Sequence, residues 1–227
     1  MEIIPAIIPK DFKEIIAKAE LVHALVKTIQ IDIMDGKLTH PRSWPYFFGQ
    51  EESFEKVTTG EIGLPYWKEV DYEADLMILN PEDYFANFVN AGFHRVIAHV
   101  ESTSKFRALI EEWKGVVEIG AAINIDTDNG VLVSLIEDGL DFVQFMGIAT
   151  IGYQGSPFDS RVLEKIESLR KAYPNVTISV DGGVTLENAP LLLEAGANRL
   201  VAGSAIFGSD IIENTIEDFK KLDTKTL

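Results

Sequence analysis

Cysteine is absent from the chain, which excludes disulfides and thiolate metal sites and fits a reducing compartment. No apolar run reaches the ~18 residues that a membrane-spanning helix needs. The first residues also lack the basic, apolar and small-residue succession of a secretion signal. Basic residues are scarce, 20 against 36 acidic ones, for a formal charge of −16. A surface of that sign repels nucleic acid and anionic membrane, so neither is an expected partner. An anionic substrate would need local compensation from backbone N–H groups, helix N-termini or a cation. A soluble cytoplasmic protein is the expectation.

What the chain does have is a large apolar fraction, 46% of 227 residues, with 10% aromatics. That suffices for a sizeable core. The stretch Ile29 to Gly36 begins as a β-branched run and ends in two carboxylates and a glycine, as a buried strand does when it emerges at an open end. Gln30 and Asp32 are two apart, so their side chains leave the same face. Such groups either pair with polar neighbours in the interior or form part of a functional site.

Along the rest of the chain, strand-like and helix-like segments alternate. Asp11 caps a helix over about 12–26, followed by the strand 27–33 and a Pro- and Trp-bearing loop to about residue 46. The segment 47–67 is less regular, with a helix near 50–57. Thereafter the spacing predicts strands at 70–78, 95–100, 116–123, 142–146, 176–180 and 199–201. The intervening helices fall at 81–90, 102–113, 128–138, 160–172 and 186–195, with a closing helix at about 210–222. About eight strand–helix units over residues 1–227, with no linker, call for a single (β/α)8 TIM barrel; a doubly wound open sheet is the alternative.

In such a barrel, reactive groups sit at the C-terminal ends of the strands. Gln30, Asp32, Asp75, His99, Glu101, Asn124, Met146 and Asp181 are the candidates there. Asp32, Asp75 and Asp181 would converge on one mouth, where carboxylates share protons or bind a cation. Three glycine-bearing turns, at 152–155, 181–183 and 202–204, read either as tight turns or as an anion cradle. The last two follow the seventh and eighth strands, where barrels often bind phosphate, and this favours the cradle. His23, His40 and His94 are expected at the surface.

These residues resemble the ribulose-phosphate 3-epimerases. The resemblance spans nearly the whole chain and is strongest in Ile31-Asp32-Ile33-Met34-Asp35-Gly36, Leu76-Met77, His99-Val100-Glu101 and the C-terminal VDGGV and EAGANRLVAGSAIFG. Gly152 to Phe158 resembles a variant of that family's glycine-rich phosphate loop. The resemblance implies inversion of a sugar-phosphate carbon next to a carbonyl through an enediolate, with Asp32 and Asp181 exchanging protons. Substrate would be bound by His99, Met34, Met77, Met146, Gly155, Gly182, Gly183, Gly203 and Ser204. The family also implies a divalent metal held by two histidines and the two aspartates, and assembly into a homo-oligomer.

The chain departs from the family at those ligands. Gln30 and Asp75 stand where the family has histidine, and Ala6 stands near its usual serine. The remaining set, Gln30, Asp32, Asp75 and Asp181, is oxygen-only, which suits magnesium, manganese or calcium better than zinc or iron. The cofactor expected is therefore a divalent metal (magnesium, manganese or zinc) or none. Three readings stand: a sugar-phosphate epimerase, a non-catalytic sugar-phosphate-binding barrel, and an aldolase or decarboxylase of the same superfamily.

Overall fold

The computed structural model describes residues 1–223. Strands and helices alternate as β1 (Glu2–Ile7), α1 (Phe12–Val22), β2 (Thr28–Met34), α2 (Glu51–Thr58), β3 (Asp71–Met77), α3 (Phe85–Asn90), β4 (Arg95–His99) and α4 (Phe106–Trp113). They continue as β5 (Glu118–Ile123), α5 (Gly130–Asp138), β6 (Phe142–Met146), α6 (Arg161–Ala172), β7 (Thr177–Asp181), α7 (Ala189–Ala195), β8 (Arg199–Ala202), the short α8 (Ser204–Phe207) and α9 (Ile212–Asp223). All eight strands pair in parallel and in chain order, and β8 pairs with β1. That closure makes a (β/α)8 TIM barrel and excludes the open sheet. No helix among the described residues is long and apolar enough to cross a membrane.

Strand alternation sorts the side chains into two layers. Ile29, Ile31 and Ile33 of β2 join the large apolar layer between barrel and helices. Met34, on the other face, clusters with Met77, Ile97, Ala122, Phe142 and Met146 inside the barrel. Helices close the outer layer with one apolar face each. In α1 the Asp11 carboxylate accepts the Glu14 N–H at 2.8 Å, and Ile15, Ala19 and Val22 are buried.

The end of the barrel where the strands begin is plugged by charge. Arg95 donates to buried Glu73 at 2.9 Å and lies within 3.2 Å of Glu2 and 3.1 Å of Glu118. Arg199 lies 3.4 Å from Glu2 and from Glu118. Two guanidinium groups thus face three carboxylates, with Glu73 Oε1 left buried and unpartnered, and the opposite end is the open mouth.

Several boundaries differ from those the spacing predicts. The helix expected over 81–90 is two pieces, a 3-10 turn at Pro81–Asp83 followed by α3, because Tyr84 (φ −125°, ψ −10°) leaves helical geometry between them. The helix expected from residue 102 begins at Phe106. Val100–Ser102 is instead a 3-10 turn in which the Ser102 hydroxyl donates to the His99 carbonyl at 2.7 Å. β2 and β7 each end one residue later than expected, so Asp181 is the last residue of its strand and Asp32 lies two residues inside β2. His23 is not simply a surface residue, since it stacks on Tyr66 with ring centroids 3.8 Å apart.

Candidate active site in the barrel mouth

Register brings the polar groups together. Asp32 of β2 is paired with Asp75 of β3, and Met146 of β6 with Asp181 of β7. One oxygen from each of Asp32, Asp75 and Asp181 lies within 4.8 Å of the others, and all three residues are buried. By chemistry and closeness this triad could hold a hard cation.

Amide and imidazole donors meet these carboxylates. Gln30 Nε2, one pleat deeper in β2, donates to Asp32 Oδ1 at 2.8 Å and to Asp181 Oδ2 at 2.7 Å. Asp75 Oδ1 lies 3.1 Å from His99 Nε2, and Asp75 Oδ2 accepts from Gln144 Nε2 at 3.1 Å. The outer end of β2 is pinned by its own loop, with the Ser43 hydroxyl donating to the Asp32 carbonyl at 2.6 Å and accepting the Met34 N–H at 2.9 Å. Asp35 is spent on turn structure, since its carboxylate accepts the N–H groups of Lys37 and Leu79.

The electrostatics follow from burial and crowding. Burial, then the charge of Asp75, pushes Asp181 up to about 7. Burial and the charges of Asp181 and Asp75 hold Asp32 well above the carboxylate range, against the Gln30 hydrogen bond that favours its anion. For His99 burial acts downward, but the charge and hydrogen bond of Asp75 outweigh it and raise the imidazole above its ordinary value. The layer therefore sets the His99 imidazole against Asp75, beside two carboxyl groups, Asp32 and Asp181, that resist ionising together.

Asp32 and Asp181 both line a cleft at the mouth, together with Met77, Met146, Ile148, Gly155, Gly182, Gly183, Gly203 and Ser204. Gly182 and Gly183 have φ of +96° and +69°, and a Cβ at Gly183 would come within 2.8 Å of the Phe158 backbone, so both positions require glycine. None of the lining residues is lysine or arginine. Gln154 reaches across from the β6–α6 loop, donating to the Ala6 carbonyl at 3.2 Å and lying directly over Gly203.

Of the residues expected at the site, Gln30, Asp75, His99 and Met34 do not line the cleft. The first three form its polar floor. Met34 is fully buried in the apolar cluster that includes Met77 and Met146. Glu101 accepts the Asn124 N–H at 2.9 Å, outside the triad. Gln144 is the residue of this polar layer that sequence reasoning missed. Its signal was a polar side chain midway between Phe142 and Met146 on the inward face of β6. Gln154 was visible only as a substitution within the glycine loop.

The metal implied by the resemblance requires two histidines. Gln30 and Asp75 hold their positions, the nearby imidazole of His99 is engaged by Asp75, and an amide N–H donor lies between the two aspartates. An N–H2 group directed at that centre repels a cation, so the two-histidine metal does not fit this arrangement.

The comparisons with known proteins agree with the geometry. Residues 2–207 match the model of the ribulose-phosphate 3 epimerase family. The chain is 30% identical over 226 residues to the chloroplastic ribulose-5-phosphate-3-epimerase of Arabidopsis thaliana, covering 95% of this chain and 75% of that protein. It is 31% identical over 201 residues to the ribulose-phosphate 3-epimerase of Bacillus subtilis, covering 85% of each. Among solved structures, 3-keto-L-gulonate-6-phosphate decarboxylase from Vibrio cholerae superposes with a TM-score of 0.75 at 14% identity, covering 100% of this chain and 98% of that one. The 3-hexulose-6-phosphate synthase from Salmonella typhimurium gives 0.73 at 15% identity, with 100% of both chains covered. These two structures share the fold. On its sequence, this chain belongs to the ribulose-phosphate 3-epimerase family.

Proposed function

We propose that the protein is an isomerase that epimerises a phosphorylated ketose, ribulose 5-phosphate or a close analogue, at the carbon next to the carbonyl. The observation that carries this reading is that Asp32 and Asp181, from strands on different sides of the mouth, both line the cleft and share one amide donor. Inversion without net redox change needs one base and one acid, on opposite faces of the same carbon.

The crowded pair provides them. With one proton shared between Asp32 and Asp181, the ionised member takes the proton from the substrate carbon and leaves an enediolate. The protonated member then delivers its own proton to the other face, and the two carboxyl groups exchange roles. Their elevated pKa values make each a stronger base than an exposed aspartate and a usable acid near neutrality. Met77, Met146 and Ile148 line the cleft with apolar surface that keeps water from the intermediate. Phosphate would be held by the glycine turns, Gly155, Gly182, Gly183 and Gly203, and by the Ser204 hydroxyl. This hydrogen-bonded seat suits a cleft without lysine or arginine.

Interconversion of ribulose 5-phosphate and its C3 epimer, followed by proton NMR, tests the proposal. A steady approach to a mixture of the two supports it. If substrate binds, seen as chemical-shift changes in the protein, but is never converted, the non-catalytic binding reading replaces it.

A further inference from the structure

We propose that the Gln30 carboxamide takes the position of a metal in this chain, as a positioning residue that cross-links the two proton-transferring carboxylates, so that catalysis needs no divalent cation. The inference rests on the epimerase reading for its catalytic half and stands without it for its metal-binding half.

Three observations carry it. Gln30 Nε2 carries two protons, and the two short contacts, 2.8 Å to Asp32 and 2.7 Å to Asp181, use one for each carboxylate. Chemistry favours this orientation of the amide: turned over, its oxygen could accept from the one protonated carboxyl but would face the other, ionised one with no proton between them. The cost is visible on the other side, where Gln30 Oε1 is buried without a partner. Gln144 follows the same pattern, with Nε2 on Asp75 and Oε1 unpartnered. A bound cation would favour the reverse arrangement, oxygen inward and nitrogen outward.

His99 lies in the same layer, its imidazole fully buried 3.1 Å from Asp75. The contacts that a metal ion would make from one point are here divided among side chains, with Gln30 between Asp32 and Asp181 and with Gln144 and His99 on the two oxygens of Asp75.

The test combines calorimetry with chelation on the intact protein. After dialysis against a chelator, titration with Mn²⁺, Mg²⁺ and Zn²⁺ should show no stoichiometric site tighter than ~100 μM, and Zn²⁺ affinity should rise at least ~100-fold in the Gln30→His/Asp75→His double variant. Epimerisation by the wild-type protein should be unchanged by chelator. Gln30→Leu, which keeps the volume and removes the cross-link, should lower kcat ~100-fold with KM within about twofold, whereas Gln30→Asn should recover part of the loss. One Mn²⁺, Mg²⁺ or Zn²⁺ bound to wild-type protein at low micromolar Kd, or activity abolished by chelation and restored by metal, overturns the proposal. So does a Gln30→Leu variant with full kcat. A protein inactive under every condition refutes the epimerase reading, and the calorimetry still decides the metal-binding claim.

Discussion

His99 Nε2 lies 3.1 Å from Asp75 Oδ1, and both side chains are fully buried. The imidazole comes from β4, one strand along from the position where the resemblance calls for a histidine, and its partner is the carboxylate that occupies that position. Asp75→Asn removes the charge that raises His99, leaving burial to push its pKa down. The variant should lose about 3 kcal/mol of stability. Because the folded-state pKa of His99 is raised, its contribution is fully present below its unfolded value near 6.5 and fades as pH rises through the folded one. The loss should therefore be largest in urea melts at pH 6 and smallest at pH 9.

Asp181→Asn should separate activity from stability. Asp181 titrates at about 7 in the folded protein against an ordinary 3.8. Between those values the folded state holds a proton that the unfolded chain has released, so stability falls as pH rises through that window. The asparagine variant has no such dependence. It should match the wild type near pH 4 and be more stable by about 1–3 kcal/mol at pH 8. Its kcat should fall at least ~10³-fold.

Turnover should depend on pH through the pair rather than through either residue alone. The competent form has one proton between Asp32 and Asp181. kcat/KM should rise as pH passes about 7, where Asp181 gives up the pair's first proton. It should fall again at higher pH, where Asp32, held above the carboxylate range by burial and by the charge of Asp181, loses the second. A rate profile flat from pH 5 to 9 would contradict the shared-proton account.

Gly183→Ala tests the phosphate seat. A Cβ there meets the Phe158 Cα at 2.8 Å, on a residue with φ +69°. The strain should cost about 2 kcal/mol in a denaturant melt. Displacement of the turn should raise KM for the sugar phosphate ~10-fold with a smaller change in kcat.

Much of this was legible in the sequence, for identifiable reasons. The β-branched run around Asp32 and the strand–helix rhythm fix the barrel, and a barrel fixes which strand ends meet, so Asp32, Asp75 and Asp181 converge as expected. Gln30 was legible as a departure from a ligand pattern. Its action as a hydrogen-bond donor was not, because that depends on which way an amide turns between carboxylates supplied by β2 and β7. Gln144 escaped notice because one polar residue in a short strand carries little signal until barrel closure brings it across the interior to Asp75. The interruption at Tyr84 depends on backbone angles that helical spacing does not encode. Nor does periodicity foresee Gln154 crossing the mouth to the Ala6 carbonyl, a contact between residues 148 positions apart.

The central claim is that Asp32 and Asp181 exchange the proton on the carbon next to the substrate carbonyl. Incubation of chelator-treated protein with ribulose 5-phosphate in deuterated water, with deuterium at C3 read by NMR or mass spectrometry, tests it most directly. The account predicts incorporation by the wild-type protein, and no formation of the C3 epimer by either Asp32→Asn or Asp181→Asn. Absence of exchange in the wild type with and without added metal, or epimer formed by Asp181→Asn, would contradict it.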